Sequence, residues 1–192
     1  IPYTAIDAGT DTLSLPANTK LLVWGGKDFE PAGNVTLAGG GAGASYDGSL
    51  EVLANGSFLA QNTESHSVGG SFEFAANATL DAASSTFTFT TNDSGRLITV
   101  NEDVFYNAIF NGAGSWSITD TESTFENDLV ITSGSLSLPN ATTTIGGSLT
   151  NADTLDTNSG LLYFNAQSGV ETVALGGSDA ATVLFAGAAN WS

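Results

Sequence analysis

Residues 86–117 read TFTFTTNDSGRLITVNEDVFYNAIFNGAGSWS, and residues 160–192 repeat their pattern as GLLYFNAQSGVETVALGGSDAATVLFAGAANWS. At a constant offset of 75, Phe87 aligns with Leu162, Phe89 with Phe164, Ile98 with Val173, Phe110 with Phe185 and Trp116 with Trp191. A chance match of alternating apolar residues would not hold register over about thirty positions. Upstream the offset drifts to 77, where Gly69–Gly70 meets Gly146–Gly147. The opening stretch supplies a partial third copy: Leu13, Leu15, Pro16, Gly25 and Gly26 correspond to Leu136, Leu138, Pro139, Gly146 and Gly147. The chain is a structural repeat with a unit of about 75 residues.

Within the unit the texture is period-2 alternation, the signature of strands with one buried face. Segments such as STFTFTT (85–91), SWSIT (115–119) and DLVIT (128–132) place an apolar side chain at every second residue. Gly, Asn, Asp and Ser cluster between them at short intervals, as in TTNDSG (90–95) and NGAG (111–114). Apolar positions recur from Phe110 through Ile131, Leu149 and Phe164 to Phe185 at steps of 21, 18, 15 and 21. Like residues returning in like order suit coils stacked at about 4.8 Å, in which equivalent side chains pile up inside. The expectation is an all-β parallel β-solenoid of about nine coils, each of 15–21 residues, with Phe89, Phe110, Ile131, Phe164 and Phe185 inward. Residues 1–48 are expected to form irregular first coils or a cap, including a glycine-rich excursion at 38–48, before regular repeats over 49–192.

Charge narrows the function. Three basic residues, Lys20, Lys27 and Arg96, stand against twenty acidic ones, for a net charge of −17. Such a chain lacks the cations that neutralise phosphates, which argues against nucleic acid and anionic membrane surfaces as partners. No apolar run reaches the roughly 18 residues of a membrane helix, so no membrane insertion is expected. With no cysteine there is no disulfide framework and no thiolate chemistry, and with no methionine the chain reads as processed or trimmed.

Phrases such as FYNAIFNGAGSWSIT, FENDLVITSGSLSLP and IGGSLTNADTLDTNSGLLYF resemble the repeats of very large bacterial cell-surface proteins predicted to form right-handed parallel β-helices. The resemblance covers 49–192 and, in part, 11–37. It implies a right-handed coil, a secreted or cell-surface location, and a structural role as stalk, adhesin shaft, filament or coat. It is not specific for an activity; no cofactor and no catalytic residue is expected, because no catalytic groups converge in the sequence.

The competing class is a polysaccharide-binding or polysaccharide-degrading module, because parallel β-helices also host lyases and hydrolases. Such a site needs carboxylates gathered on neighbouring coils, or calcium. Glu126 and Asp128, set at i and i+2 as if on one strand face, are the candidate calcium or sugar ligands, against the plainer reading of a solvated acidic face. His66, the single histidine, has no second histidine or cysteine to complete a metal site and reads as an exposed turn residue. Trp116 and Trp191 are read as interior rather than sugar platforms, and Trp24, which precedes Gly-Gly as Val68 and Ile145 do, as interior too. Asn34, Asn55, Asn77, Asn92, Asn140 and Asn190 head Asn-X-Ser/Thr sequons and are glycosylation candidates. At the solenoid ends, self-association or a continuing chain is expected to cover unpaired strand edges, and glycans are candidate partners.

Overall fold

The computed structural model describes residues 12–40 and 47–192. The expectations for a cap in the first eleven residues and for the centre of the glycine-rich excursion lie outside the described residues. Every strand pairing is parallel, and no helix occurs among the described residues. The described residues wind through eight coils, each offering up to three short strands, so the solenoid has three faces.

The first face begins with Leu13–Leu15 and Val35–Leu37 and continues through Ser65–Val68 and Thr86–Phe89. It then takes the leading parts of the long strands Asn107–Ile118 and Leu129–Ser137, followed by Leu149–Asn151 and Val173–Ala174. The second face runs from Lys20–Val23 through Ser49–Val52, Phe72–Phe74 and Arg96–Thr99. It continues into the trailing parts of the two long strands and Thr154–Asp156. The third face holds a three-stranded ladder, Asp28–Phe29, Ser57–Leu59 and Thr79–Asp81, then a five-stranded one from Val104–Phe105 to Thr182–Phe185.

Register fixes the length of a coil. Leu13 pairs with Val35, Ser65 with Thr86, Thr86 with Asn107, Ala108 with Leu129, Leu129 with Leu149 and Leu149 with Val173. Those steps are 20 to 24 residues, and the second coil takes 31, Thr36 to Ser67, because it carries the excursion. The steps of 18 and 15 in the sequence join residues that are not stacked: Leu149 lies on the first face and Phe164 on the third face of the same coil.

The same geometry explains the 75-residue repeat. Phe87 sits on the first face of the fourth coil and its counterpart Leu162 on the third face of the seventh. The separation is three coils and two further faces, or 3⅔ turns, which at 20 to 21 residues per turn is 75 residues. Each repeat is therefore turned by one face relative to the last. Local packing survives the rotation. Phe89 stacks on Phe110 at 4.9 Å with Trp116 edge-on to Phe110 at 5.2 Å, and Phe164 stacks on Phe185 at 5.1 Å with Trp191 tilted against it at 5.2 Å.

The core is a continuous column. Phe72, Phe87, Phe89 and Phe105 meet edge-on or tilted at 5.4–5.9 Å, the arrangement aromatic quadrupoles favour. Phe89, Phe110, Ile131 and Phe164 are inward and buried, as expected. Phe185 also stacks inward but is 47% exposed, because it lies on the last coil.

Corners are made by residues that tolerate a left-handed backbone. Asn18, Asn55, Asn77, Asn101 and Asn158 have φ between 47° and 63°, where a short amide side chain is least penalised. Asn101 and Asn158 donate from Nδ2 to carbonyls of the preceding coil, Ala75 and Leu138, both at 2.7 Å. Gly146 is required for another reason: a Cβ there would run into the carbonyl oxygen of Glu126 on the coil beneath.

Candidate functional site

Where the chain enters the first face, every coil from the second onward places a small polar residue just before the inward pair: Asn34, Ser65, Thr86, Asn107, Asp128, Ser148 and Thr172. Four members of the column are caps. Asn34 Oδ1 accepts from the Ser65 amide at 2.8 Å, Asn107 Oδ1 from the Asp128 amide at 3.1 Å, Asp128 Oδ1 from the Ser148 amide at 2.8 Å, and Ser148 Oγ from the Thr172 amide at 3.1 Å. A strand that turns a corner leaves amides without ladder partners, and these side chains supply the acceptors from the neighbouring coil.

This arrangement corrects the reading of the acidic pair. Glu126 and Asp128 do not share a strand face; they lie in the corner between Ser123–Phe125 and Leu129–Ser137. Glu126 is exposed, whereas Asp128 is half-buried and engaged as a cap. Among the described residues no three His, Cys, Asp or Glu side chains gather where they could hold a metal ion. Replacing Asp128 by Ala is expected to destabilise the fold by about 1–2 kcal/mol, the range for a lost cap, while Asp128→Asn keeps an acceptor and stays near wild type. Urea melts with and without millimolar calcium check this. A calcium-dependent midpoint abolished by both substitutions would restore the ligand reading.

Asp103 and Asp120 act similarly at the corner leading to the third face. Asp103 Oδ2 accepts from the Leu80 amide at 2.7 Å, and Asp120 accepts from the amides of Val100 and Asn101 at 2.8 and 3.0 Å. Burial pushes both carboxyls above the usual range, partly offset by those same bonds.

Two buried polar features escaped the sequence reading. His66 is not an exposed turn residue: it is an inward side chain, 2% exposed, in the core column between Val35 and Phe87. Its Nδ1 accepts from the Val35 amide at 3.2 Å, its Nε2 has no hydrogen-bond partner, and its ring lies 4.8 Å from Phe87 and 5.3 Å from Phe58. Desolvation lowers its pKa to about 4, so the buried ring is neutral. The alternation Ser65-His66-Ser67-Val68 carried the signal, since His66 shares its parity with Val68.

The second feature is ionic. Arg96 shares the parity of inward Ile98 and turns into the corner between the first and second faces. There its Nη2 pairs with Asp93 Oδ2 at 2.8 Å and with Asp47 Oδ2. The Asp47 side chain is 3% exposed and Ser49 Oγ donates to its Oδ1 at 3.3 Å. This cluster ties the returning end of the excursion, on the second coil, to the fourth coil. No sequence pattern announced it, because Asp47 and Arg96 are separated by 49 positions and Asp47 belongs to the irregular excursion, outside the repeat.

Trp116 is interior, 1% exposed, as expected. Trp24 is not. It is 60% exposed, because Leu21 and Val23 take the inward positions opposite Leu50 and Val52 and leave Trp24 outside the corner. All six sequon asparagines are exposed. Asn34 and Asn92 also cap the amides of Ser65 and Ala113.

Comparison of the chain with protein-family models, with curated proteins and with solved structures finds no match in any of the three.

Proposed function

We propose that this chain is a structural segment of an extracellular surface protein: a rigid rod serving as stalk, adhesin shaft, or filament or coat subunit. One observation carries the reading: a parallel ladder that runs uninterrupted along the first face through eight coils over a single stacked core, with corner side chains capping amides the ladder leaves free. Tension along the rod is shared by all the inter-coil hydrogen bonds of a coil at once, which resists extension. The strongly acidic, hydroxyl-rich exterior keeps the rod hydrated and repels other anionic surfaces. Val183, Leu184 and Phe185 on the eighth coil are 38–47% exposed, a surface suited to a further coil, from a longer chain or another copy. The six exposed sequons suit glycosylation on such a surface.

Pulling the molecule by its ends in a force spectrometer tests the rod. Sequential release of coils of 20 to 24 residues should lengthen the chain in steps of roughly 70–80 Å each, at up to about 3.5 Å per residue. Collapse in one step at low force would oppose a load-bearing role.

A glycan-binding reading is favoured by Trp24 with its neighbour Leu22, 60% and 45% exposed on the first coil, an aromatic surface on which a sugar ring could stack. Titrating polysaccharides against tryptophan fluorescence, with Trp24→Ala and Glu126→Ala as controls and hydrolysis monitored alongside, separates the two. Saturable binding lost in either variant would replace the spacer assignment.

A further inference from the structure

The acidic charge is not spread evenly around the rod. The first face presents two outward columns. One is the capping column described above, and the other runs Ser14, Thr36, Ser67, Thr88, Ile109, Val130, Thr150 and Ala174. Across both columns Asp128 is the single charged member, with its Oδ1 occupied by the Ser148 amide, and from the adjoining corner the Glu171 carboxylate accepts from Ser148 Oγ at 2.7 Å. The outward positions of the second face, by contrast, carry Lys20, Glu51, Glu73 and Asp156, and the third face with its corners carries Asp28, Asp81, Glu102, Glu122 and Glu126. In a molecule of net charge −17, the first face is a flat, small-residue surface about eight coils long from which charge has been withdrawn.

We propose that this face is a lateral docking surface for the same face of a second copy of this chain. Three observations select that occupant. A second copy is equally acidic, and the first face is the side on which two copies meet with the fewest opposing carboxylates: only Glu64 of one copy and Glu171 of the other approach, at the rim. A second copy also has the same coil spacing, so rows of hydroxyl and methyl groups interleave along the whole contact instead of drifting out of step. Finally, Ile109 and Val130 are partners in register on the fifth and sixth coils, near the middle of the face. A two-fold axis lying along the strands between those coils sets Ile109 of each copy against Val130 of the other, and Asp128 against Asn107. Third to eighth coils then overlap, about 29 Å by 13 Å, which buries roughly 800 Å² in total. That is the low end for a specific complex, so the pairing is weak and reversible. It goes beyond the rod assignment, whose contacts lie at the ends rather than along the side.

Sedimentation equilibrium of the unglycosylated chain at about 0.5 mM tests the pairing in about 0.01 M and about 1 M NaCl, where the screening length falls from about 30 Å to about 3 Å. Because the residual force between copies is repulsion, dimers should increase with salt, the reverse of an interface built on opposite charges. Val130→Glu, and separately Thr88→Glu, should weaken the dimer at least tenfold in 1 M NaCl. Thr144→Glu, which adds the same charge to the third face, should leave it unchanged. Circular dichroism melts of the three variants establish that each remains folded. A chain that stays monomeric in 1 M NaCl overturns the proposal. So does a dimer weakened alike by all three substitutions, and so do end-to-end oligomers that survive Val130→Glu.

Discussion

Replacing Phe110 by Ala is expected to destabilise the solenoid by about 3–5 kcal/mol, the largest effect of any single truncation considered. Phe110 is 1% exposed and held on three sides: Phe89 stacks on it from the preceding coil, Trp116 meets it edge-on, and Ile131 lies opposite it on the next coil. Coils above and below are fixed by backbone ladders, so the cavity cannot collapse without breaking register. Phe185→Ala should cost much less, near 1 kcal/mol, since half its surface already faces solvent. Trp24→Ala should change stability by no more than about 0.5 kcal/mol. Urea titrations of the three variants give this order if inward stacking holds the rod together. Amide exchange should further show Phe110→Ala loosening the fourth to sixth coils first, because each coil in a solenoid touches only its neighbours. Equal losses for Phe110→Ala and Trp24→Ala would mean that the core has been placed wrongly.

The second large effect is acid sensitivity. His66 has a pKa of about 4 in the fold against 6.5 when unfolded. Above about pH 6.5 both states are neutral and the residue carries no penalty. As the pH falls from about 6.5 to about 4, the unfolded chain takes up the proton and the folded one does not, so stability is lost. Lowering the value from 6.5 to about 4 corresponds to roughly 3 kcal/mol. Asp103 and Asp120 act with the opposite sign. Their raised values mean that their contribution is greatest in acid and declines as the pH rises through the folded values. A His66→Phe variant isolates the histidine, because both proteins keep those aspartates. At pH 7 the variant should be less stable by about 1–2 kcal/mol, having orphaned the Val35 amide. Towards pH 4 that gap should close or reverse. Parallel stability curves for the two proteins would show that His66 is not buried and neutral.

Alternation made the core legible, because in a strand the parity of one apolar residue fixes the sides of its neighbours. Phe87, Phe89 and Ile98 follow from that alone, and so does His66, which shares the parity of Val68. Trp24 was misplaced by the Gly-Gly alignment with Val68, which put it one position out of phase with the strand, whereas Val23 is the residue that lies inside. The repeat announced the solenoid but concealed its three-sided section, since a 75-residue offset compares strands on different faces. The capping column was present in the text as a polar residue before each apolar pair, Thr86, Asn107, Asp128 and Ser148, at steps of 20 to 21. Isolated from that series, Asp128 looks like half of an acidic site. The Asp47–Arg96–Asp93 cluster had no such series behind it: its members meet only once the excursion returns to the corner.

The central claim is the parallel, in-register stacking of coils, and engineered cross-linking tests it most directly in a chain with no cysteine of its own. Thr144 and Tyr163 are register partners on adjacent coils of the third face, and Tyr163 pairs onward with Leu184. Neighbouring parallel strands lie about 4.8 Å apart, within the Cα range a disulfide spans, while strands two coils apart are about 9.6 Å away and outside it. The double variant Thr144→Cys/Tyr163→Cys should oxidise to an intramolecular disulfide in the folded state and resist urea better for it. Thr144→Cys/Leu184→Cys should remain reduced under the same conditions. Efficient closure of the second pair, or failure of the first, would contradict the stacking.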